Sequence, residues 1–340
     1  MQINKSLSNF KVIEQGIPQR SVLRPVFFSI YSRKLSPLIK SHQIVHHQFA
    51  DDGQAWKILE MITENVNEIV SLILKIKAWL KTKYQKLNEG KRKIMVCGTR
   101  RKLATLEQDK NLEFIKINDY KVKVLSEVRD LGIQQDERLT LGRHINKIIK
   151  SCNQQLRNIF FIRRYLTTTC RKMFVVNQVL SRLDYWNALF ANLPNYLLRK
   201  IQMLLNRAAR LVYGATLTHR VTPLLIKLHW LPIKARIMYK ICSLTHNMLL
   251  TYEPRYLSDK LTQNADLQGR RTRNVLAVPT VKTNQGKRTF SYCAPVYYNK
   301  LPISLSQIED IKKFRKWLRT FLFMESYELT SSTVKTNFEA

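Results

Sequence analysis

Asp51 and Asp52 stand side by side in the stretch Ile44-Val45-His46-His47-Gln48-Phe49-Ala50-Asp51-Asp52-Gly53-Gln54-Ala55-Trp56, between two apolar runs. Adjacent carboxylates are conspicuous in a chain with 58 Lys and Arg against 24 Asp and Glu, a formal net charge of +34. A strand-turn-strand hairpin would carry both acids at its apex. Hard carboxylate oxygens there suit Mg²⁺, which takes one or two carboxylates from a protein and fills its remaining positions with water and phosphate oxygens. The chemistry this points to is metal-assisted phosphoryl transfer on a nucleic acid. The same pair also fits an ordinary turn, because Asp accepts local backbone hydrogen bonds and tolerates unusual dihedrals.

Other reactive side chains give less. His46 and His47 are neighbours on a strand and point to opposite faces, so they do not converge on one ion. Cys97, Cys152, Cys170, Cys242 and Cys293 are odd in number and scattered, with no zinc spacing, which fits a reduced, intracellular setting. No Ser or Cys has a base at readable spacing. Tyr185, Trp186, Trp230 and Trp317 could stack on bases, but aromatics in amphipathic helices usually belong to the core. Asp184, the one acid between Arg138 and Tyr252, is expected to pair with Arg182 or with a neighbouring helix.

The hairpin needs supporting elements. Residues 1–20 read as a loop, followed by a helix over Val22–Lys40 whose ends Pro25 and Pro37 restrict. Strands are expected near 44–49 and 54–58, with Gly53 loosening the turn. Val66, Ile69, Val70, Ile73 and Leu80 mark a helix over 63–84 whose polar face carries Lys75, Lys77, Lys81 and Lys83. Short strands follow over Ile94–Cys97, Leu112–Ile117, Tyr120–Leu125 and Val128–Ile133, with Asn118-Asp119 as a turn.

After Thr140 the pattern is helical. Ile145, Ile148, Ile149, Cys152, Leu156, Ile159 and Phe160 form one stripe; Leu197, Leu198, Ile201, Leu204, Leu205, Ala208 and Val212 form another. Pro194 and Pro232 suit helix starts. Residues 262–290 lack periodicity, and a last helix contains Ile308, Ile311, Phe314, Trp317, Leu318 and Phe321.

From Arg138 through Tyr252 there are nineteen basic residues, Arg138 included. Such one-sided charge is tolerable against a polyanion, and each phosphate contact releases counterions. A nucleic acid is the expected partner, with an anionic membrane surface as its competitor. No uncharged run of eighteen apolar residues occurs, and the N-terminus does not read as a secretory signal, so a soluble protein is expected.

Several segments resemble, in order, the reverse transcriptases of non-LTR retrotransposons. Gly16-Ile17-Pro18-Gln19-Arg20-Ser21-Val22-Leu23-Arg24-Pro25 resembles their G-[VI]-P-Q-G-S-x-L-G-P segment, and Phe49-Ala50-Asp51-Asp52 their [YF]-A-D-D tip. Leu87-Asn88 with Lys91, then Ile94–Gly98, looks like the L-N-x-x-K element; Val128-Arg129-Asp130-Leu131-Gly132 looks like V-x-x-L-G. His144-Ile145, Ser181-Arg182-Leu183-Asp184-Tyr185, Leu228-His229-Trp230-Leu231-Pro232-Ile233 and Phe290-Ser291-Tyr292-Cys293-Ala294-Pro295 resemble the helical region of jockey-like elements.

The resemblance implies an α+β fold: an incomplete reverse-transcriptase palm followed by a mostly α-helical thumb and C-terminal region. Its expected parts are a partial palm over 1–138, a basic helical thumb-like region over 139–260, a linker or mobile loop over 261–290, a helical segment over 291–325 and a disordered tail over 326–340. It implies RNA-directed DNA polymerase activity with Mg²⁺, an RNA template, a DNA primer and a dNTP, with no membrane partner; the cysteines fit an intracellular location, and the sequence does not choose between nuclear and cytoplasmic. Asp51 would be the principal metal ligand, supported by Asp52. Gln19 would position nucleotide and template, and Lys91 would lie near the triphosphate. Lys147, Lys150, Arg157, Arg163 and Arg164 are the candidate nucleic-acid contacts.

The pattern also breaks. The family takes a further metal-binding Asp and its fingers from upstream of the G-x-P-Q segment, whereas this chain has fifteen residues there, with Glu14 the one acid. Arg20 and Arg24 stand where the family has Gly, which permits closer backbone approach. Gly53 replaces the usual Thr or Ser. The expectation is a truncated copy, inactive alone, or a non-catalytic basic RNA- or DNA-binding remnant.

Overall fold

The computed structural model describes residues 2–3, 6–7, 22–58, 62–107, 113–117, 120–262 and 276–329. The chain divides into two units, Met1–Asp130 with Asp136–Arg138, and Leu131–Gln135 with Leu139–Ala340. Together they are α+β, with short antiparallel strand pairs and a predominance of helix.

In the first unit a strand pair β1 (Gln2–Ile3) and β2 (Ser6–Leu7) precedes α1 (Arg24–Ser32) and α2 (Leu35–Lys40). The single helix expected over Val22–Lys40 is therefore two. Pro25 lies in the first turn of α1 and Pro37 in the first turn of α2, where no intrahelical N–H is needed, so each proline opens a helix. Next come β3 (Val45–Phe49), β4 (Asp52–Trp56) and α3 (Ile62–Thr82).

A small core joins these pieces: Ile39 of α2, Ile44 at the entrance to β3 and Leu72 of α3 are buried, with Leu35, Ile69 and Ile76 packed around them. Leu72 is buried but was not in the stripe read from the sequence. Ile69 and Ile76, half-buried like Val66, Val70 and Ile73, are the ones that pack against this core beside Leu72.

A helix unforeseen in the sequence, α4 (Arg100–Glu107), is followed by β5 (Phe114–Ile117) and β6 (Tyr120–Lys123), which pair antiparallel with Ile117 opposite Tyr120. Asn118-Asp119 lies outside the described residues. The strand expected at Ile94–Cys97 is reduced to one parallel bridge between Ile94 and Val124. The strand expected at Val128–Ile133 is split into β7 (Glu127–Asp130) and β8 (Ile133–Asp136), because Leu131 (φ 42°) and Gly132 (φ 87°) form a turn with both central residues at positive φ.

The second unit is helical: α5 (Gly142–Ile162), α6 (Thr168–Val175) continuing through a π-helical stretch into α7 (Ser181–Asp184), α8 (Asn195–Tyr213), α9 (Thr222–Leu228), α10 (Ile233–Thr251), α11 (Arg255–Ser258), α12 (Phe290–Tyr298), α13 (Ile303–Ser306) and α14 (Ile311–Tyr327). The stripes of α5 and α8 meet in one core with α10, where Ile145, Cys152, Leu156, Leu204, Leu205, Ala208 and Ile241 are buried. A second cluster unites α10, α12 and α14 through Cys242, Tyr298, Phe314 and Leu318. Pro194 and Pro232 cap α8 and α10 as expected.

Within the region read as a linker, the described residues 276–290 are anchored. Leu276 is buried, and its backbone N–H and C=O bond the Asn299 side-chain amide at 3.1 and 2.7 Å. The last helix starts at Asp310, whose carboxylate accepts from the N–H groups of Lys312 and Lys313, and it continues to Tyr327, past the expected onset of the tail. Residues 330–340 lie outside the described residues.

Candidate metal-binding hairpin and basic helical surface

Asp51 and Asp52 sit on a two-residue hairpin. Phe49 pairs with Asp52 and Gln48 with Gly53, so Ala50 and Asp51 make the turn and Ala50 takes φ 51°. The second strand begins two residues earlier than expected. Gly53 is therefore a strand residue, not part of the turn, and a Cβ built on it would meet nothing within 4 Å.

Side chains alternate across the pair. Val45, His47, Phe49, Asp52, Gln54 and Trp56 share one face. On that face the His47 and Trp56 rings lie 5.2 Å apart. His46 points the other way, with Nε2 2.9 Å from the Ser36 hydroxyl, and burial followed by the Lys40 charge pushes its pKa down. The two histidines thus do not converge.

Both carboxylates of the tip are exposed, and among the described residues no cationic side chain pairs with either. Gln54 donates from Nε2 to Asp130 Oδ2 at 2.6 Å, tying the face that carries Asp52 to β7. That tie was missed in the sequence; the clue was that Gln54 lies two residues beyond Asp52 and so on its side of the strand. Among the described residues no group of three or more His, Cys, Asp or Glu gathers as a metal cage. Two adjacent, solvated, unpaired oxygen donors nonetheless match what Mg²⁺ takes from a protein when phosphates and water complete its sphere.

Gln19 and Arg20 lie outside the described residues, and Arg24 is exposed as the first residue of α1. Lys91 ends a 3-10 turn over Glu89–Lys91 and is exposed. Glu89 beside it accepts from Lys77 Nζ at 2.7 Å and lies 3.8 Å from Arg92. The Lys77 hydrogen bond is the main cause holding the Glu89 carboxyl below its usual range. Among the described residues no hydrogen bond or ion pair joins Lys91 to the acidic tip.

The five candidate phosphate-contacting cations belong to the second unit. Lys147, Lys150 and Arg157 are exposed on α5, and Arg163 and Arg164 follow in a 3-10 turn. Lys200 and Arg207 of α8 reach Asn146 and Asn153 of α5 at 3.4 and 3.3 Å, adding positive charge along the seam between the two helices. Phe160, expected inside the stripe, is 46% exposed instead, with the Arg163 guanidinium 3.7 Å from its ring centroid.

Asp184 takes the neighbouring-helix alternative: Arg236 Nη1 donates to its Oδ1 at 2.6 Å and its Oδ2 at 2.5 Å, while Arg182 donates to Ser151. Trp230 is core and Trp186 half-buried, whereas Tyr185 and Trp317 are exposed, so the core reading holds for Trp230 and not for Tyr185 or Trp317. The five cysteines are free; burial raises the Cys152 and Cys293 thiols to about 11, which keeps them protonated at neutral pH.

The α+β fold and the acidic hairpin accompany a distant reverse-transcriptase-like relationship. The chain is 26% identical to a Drosophila melanogaster protein described as "Probable RNA-directed DNA polymerase from transposon BS", over 62% of this chain and 24% of that protein. It thus spans about a quarter of that relative's length. No family model and no solved structure matches the chain.

Proposed function

We propose that this chain carries the metal-binding part of the palm and the following helical region of an RNA-directed DNA polymerase from a non-LTR retrotransposon of the jockey-like kind. The observation that carries this reading is the hairpin: the F-A-D-D segment forms a tight two-residue turn with both acids exposed at its tip. The similarity to a transposon RNA-directed DNA polymerase supports the same reading.

In this proposal Asp51 and Asp52 would hold Mg²⁺, which would supply Lewis-acid stabilisation of the charge developing in phosphoryl transfer. Gln19 aligns nucleotide and template, and Lys91 offsets negative charge developing on the triphosphate. Lys147, Lys150, Arg157, Arg163 and Arg164 hold the RNA template and DNA primer by their phosphates.

The tip supplies two carboxylates, and a two-metal centre with so few ligands orients the primer's 3′ oxygen poorly. Orientation accounts for many powers of ten in rate. We therefore propose that the chain alone binds primer-template without extending it efficiently. A non-catalytic basic RNA- or DNA-binding remnant is the second reading, favoured by the separate buried core beneath the basic helices.

Primer extension on an RNA template with Mg²⁺ tests both. The expected product is at background for the native chain and for Asp51→Ala alike, with primer-template binding that is equal in the two and weakens steeply with salt. Robust synthesis that Asp51→Ala abolishes would overturn the claim of inactivity. Absent or salt-insensitive binding would remove the nucleic-acid role.

A further inference from the structure

The end of α5 presents aromatic side chains, among cations already assigned to phosphates, that the catalytic reading does not use. Phe160 is 46% exposed, Phe161 63% and Tyr165 81%, all within six residues. The inward face of α5 is already filled by Ile145, Cys152, Leu156 and Ile159, so these rings are surplus to the core. Contiguous exposed aromatics on an otherwise well-packed helix mark an interaction surface.

These rings are interleaved with cations. The Arg163 guanidinium sits 3.7 Å from the Phe160 centroid and Arg157 5.7 Å from that of Phe161, while the two rings meet edge to face at 6.3 Å and 77°. Arg164 is exposed in the same turn. No acid occurs from Leu139 to Leu183, and Asp184, the next one, is held by Arg236. The surface is therefore positive as well as aromatic.

We propose that Phe160, Phe161 and Tyr165 form a stacking platform for unpaired nucleic-acid bases, with Arg157, Arg163 and Arg164 taking the flanking phosphates. The proposal deepens the nucleic-acid reading above by naming a single strand as the ligand of this surface. The chemistry selects that ligand: a duplex buries its base faces in its own stack, whereas a single strand offers them to aromatic side chains. Arginine on the phosphates adds a salt-dependent term to either form and does not itself select the single strand. Since the platform lies wholly in the second unit, Asp51→Ala leaves it intact, and failure here is distinguishable from failure of the metal site.

The test is fluorescence anisotropy of the full chain with a labelled single-stranded oligothymidylate, an abasic oligomer of the same length, and a duplex. Phe161→Ala and Tyr165→Ala each weaken oligothymidylate binding about tenfold, within the range of base-aromatic stacking, and change abasic-oligomer binding by at most about twofold. Because both side chains are exposed, unchanged thermal melting is expected to accompany the loss. The proposal is overturned if both variants bind oligothymidylate like the native chain, or lose the same factor on the abasic oligomer. It is equally overturned if the substitutions abolish binding to phosphatidylserine vesicles while leaving oligonucleotide binding unaltered.

Discussion

His246 shows how a single buried side chain ties stability to pH. Its ring stacks on Phe314 with centroids 3.6 Å apart and planes 10° apart; Nε2 is 2.7 Å from the Ile308 carbonyl, and Nδ1 is 2.8 Å from the Tyr298 hydroxyl. Nε2–H therefore donates to the carbonyl and Nδ1 accepts from Tyr298, an arrangement that needs the neutral imidazole. Burial pushes the His246 pKa below 6.5, with the Ile308 hydrogen bond opposing, and burial also leads the downward shifts of His144 and His229.

A depressed histidine means that the unfolded chain takes up protons more readily, so stability rises with pH through this window. It is fully present above about pH 6.5 and falls as pH drops through that unfolded-state value toward the folded-state one. Thermal melts are expected to show a lower Tm at pH 5 than at pH 7.5, by about 2–4 °C for each kcal/mol lost, and His246→Gln should flatten the slope. An equal slope in the variant would assign the effect to other groups. None of this was legible in the sequence, because nothing local to His246 announces partners 52 and 62 positions away. The hairpin that carries Asp51 and Asp52 was legible because its signal is local: two acids between short strand-forming runs.

At the scale of elements, the Leu131-Gly132 turn is the informative correction. Read as sequence, Val128–Ile133 is one β-rich run; in the structure it reverses at two residues with φ of 42° and 87°. Gly132 supplies a conformation that side chains disfavour, and the Leu131 carbonyl accepts from Tyr185 Oη at 3.3 Å and Trp186 Nε1 at 3.2 Å. A Cβ on Gly132 would also lie 3.4 Å from Tyr185 Cε1. Gly132→Ala is expected to destabilise the second unit by about 1–2 kcal/mol, read as a lower urea midpoint with unchanged slope. An unchanged midpoint would mean that the turn relaxes freely.

The same logic explains which elements could be read. The stripes of α5 and α8 were clear because each repeats over about five turns. The split at Arg33-Lys34 and the helix α4 were not read from periodicity, although Pro37, opening the second helix, is a local signal of the split.

For the whole molecule, two units with separate cores carry two kinds of chemistry: an acidic hairpin in the first, and in the second a basic helical surface whose one early acid is held by Arg236. Among the described residues no helix is long and apolar enough to cross a membrane. The change from strand-rich to helix-rich sequence after Thr140 was visible from hydrophobic spacing alone. The anchoring of Leu276 was not, because it rests on Asn299, twenty-three residues downstream.

Divalent-metal binding at the hairpin tip is the property on which the proposed polymerase role rests. Titrating Mn²⁺ into the isotope-labelled chain and following amide NMR signals tests this directly. The predicted result is paramagnetic broadening confined, at low Mn²⁺, to residues around Phe49–Gln54, reversed by excess Mg²⁺ and lost in the double variant Asp51→Asn, Asp52→Asn. Broadening centred on other acids, or unchanged in that variant, would contradict it.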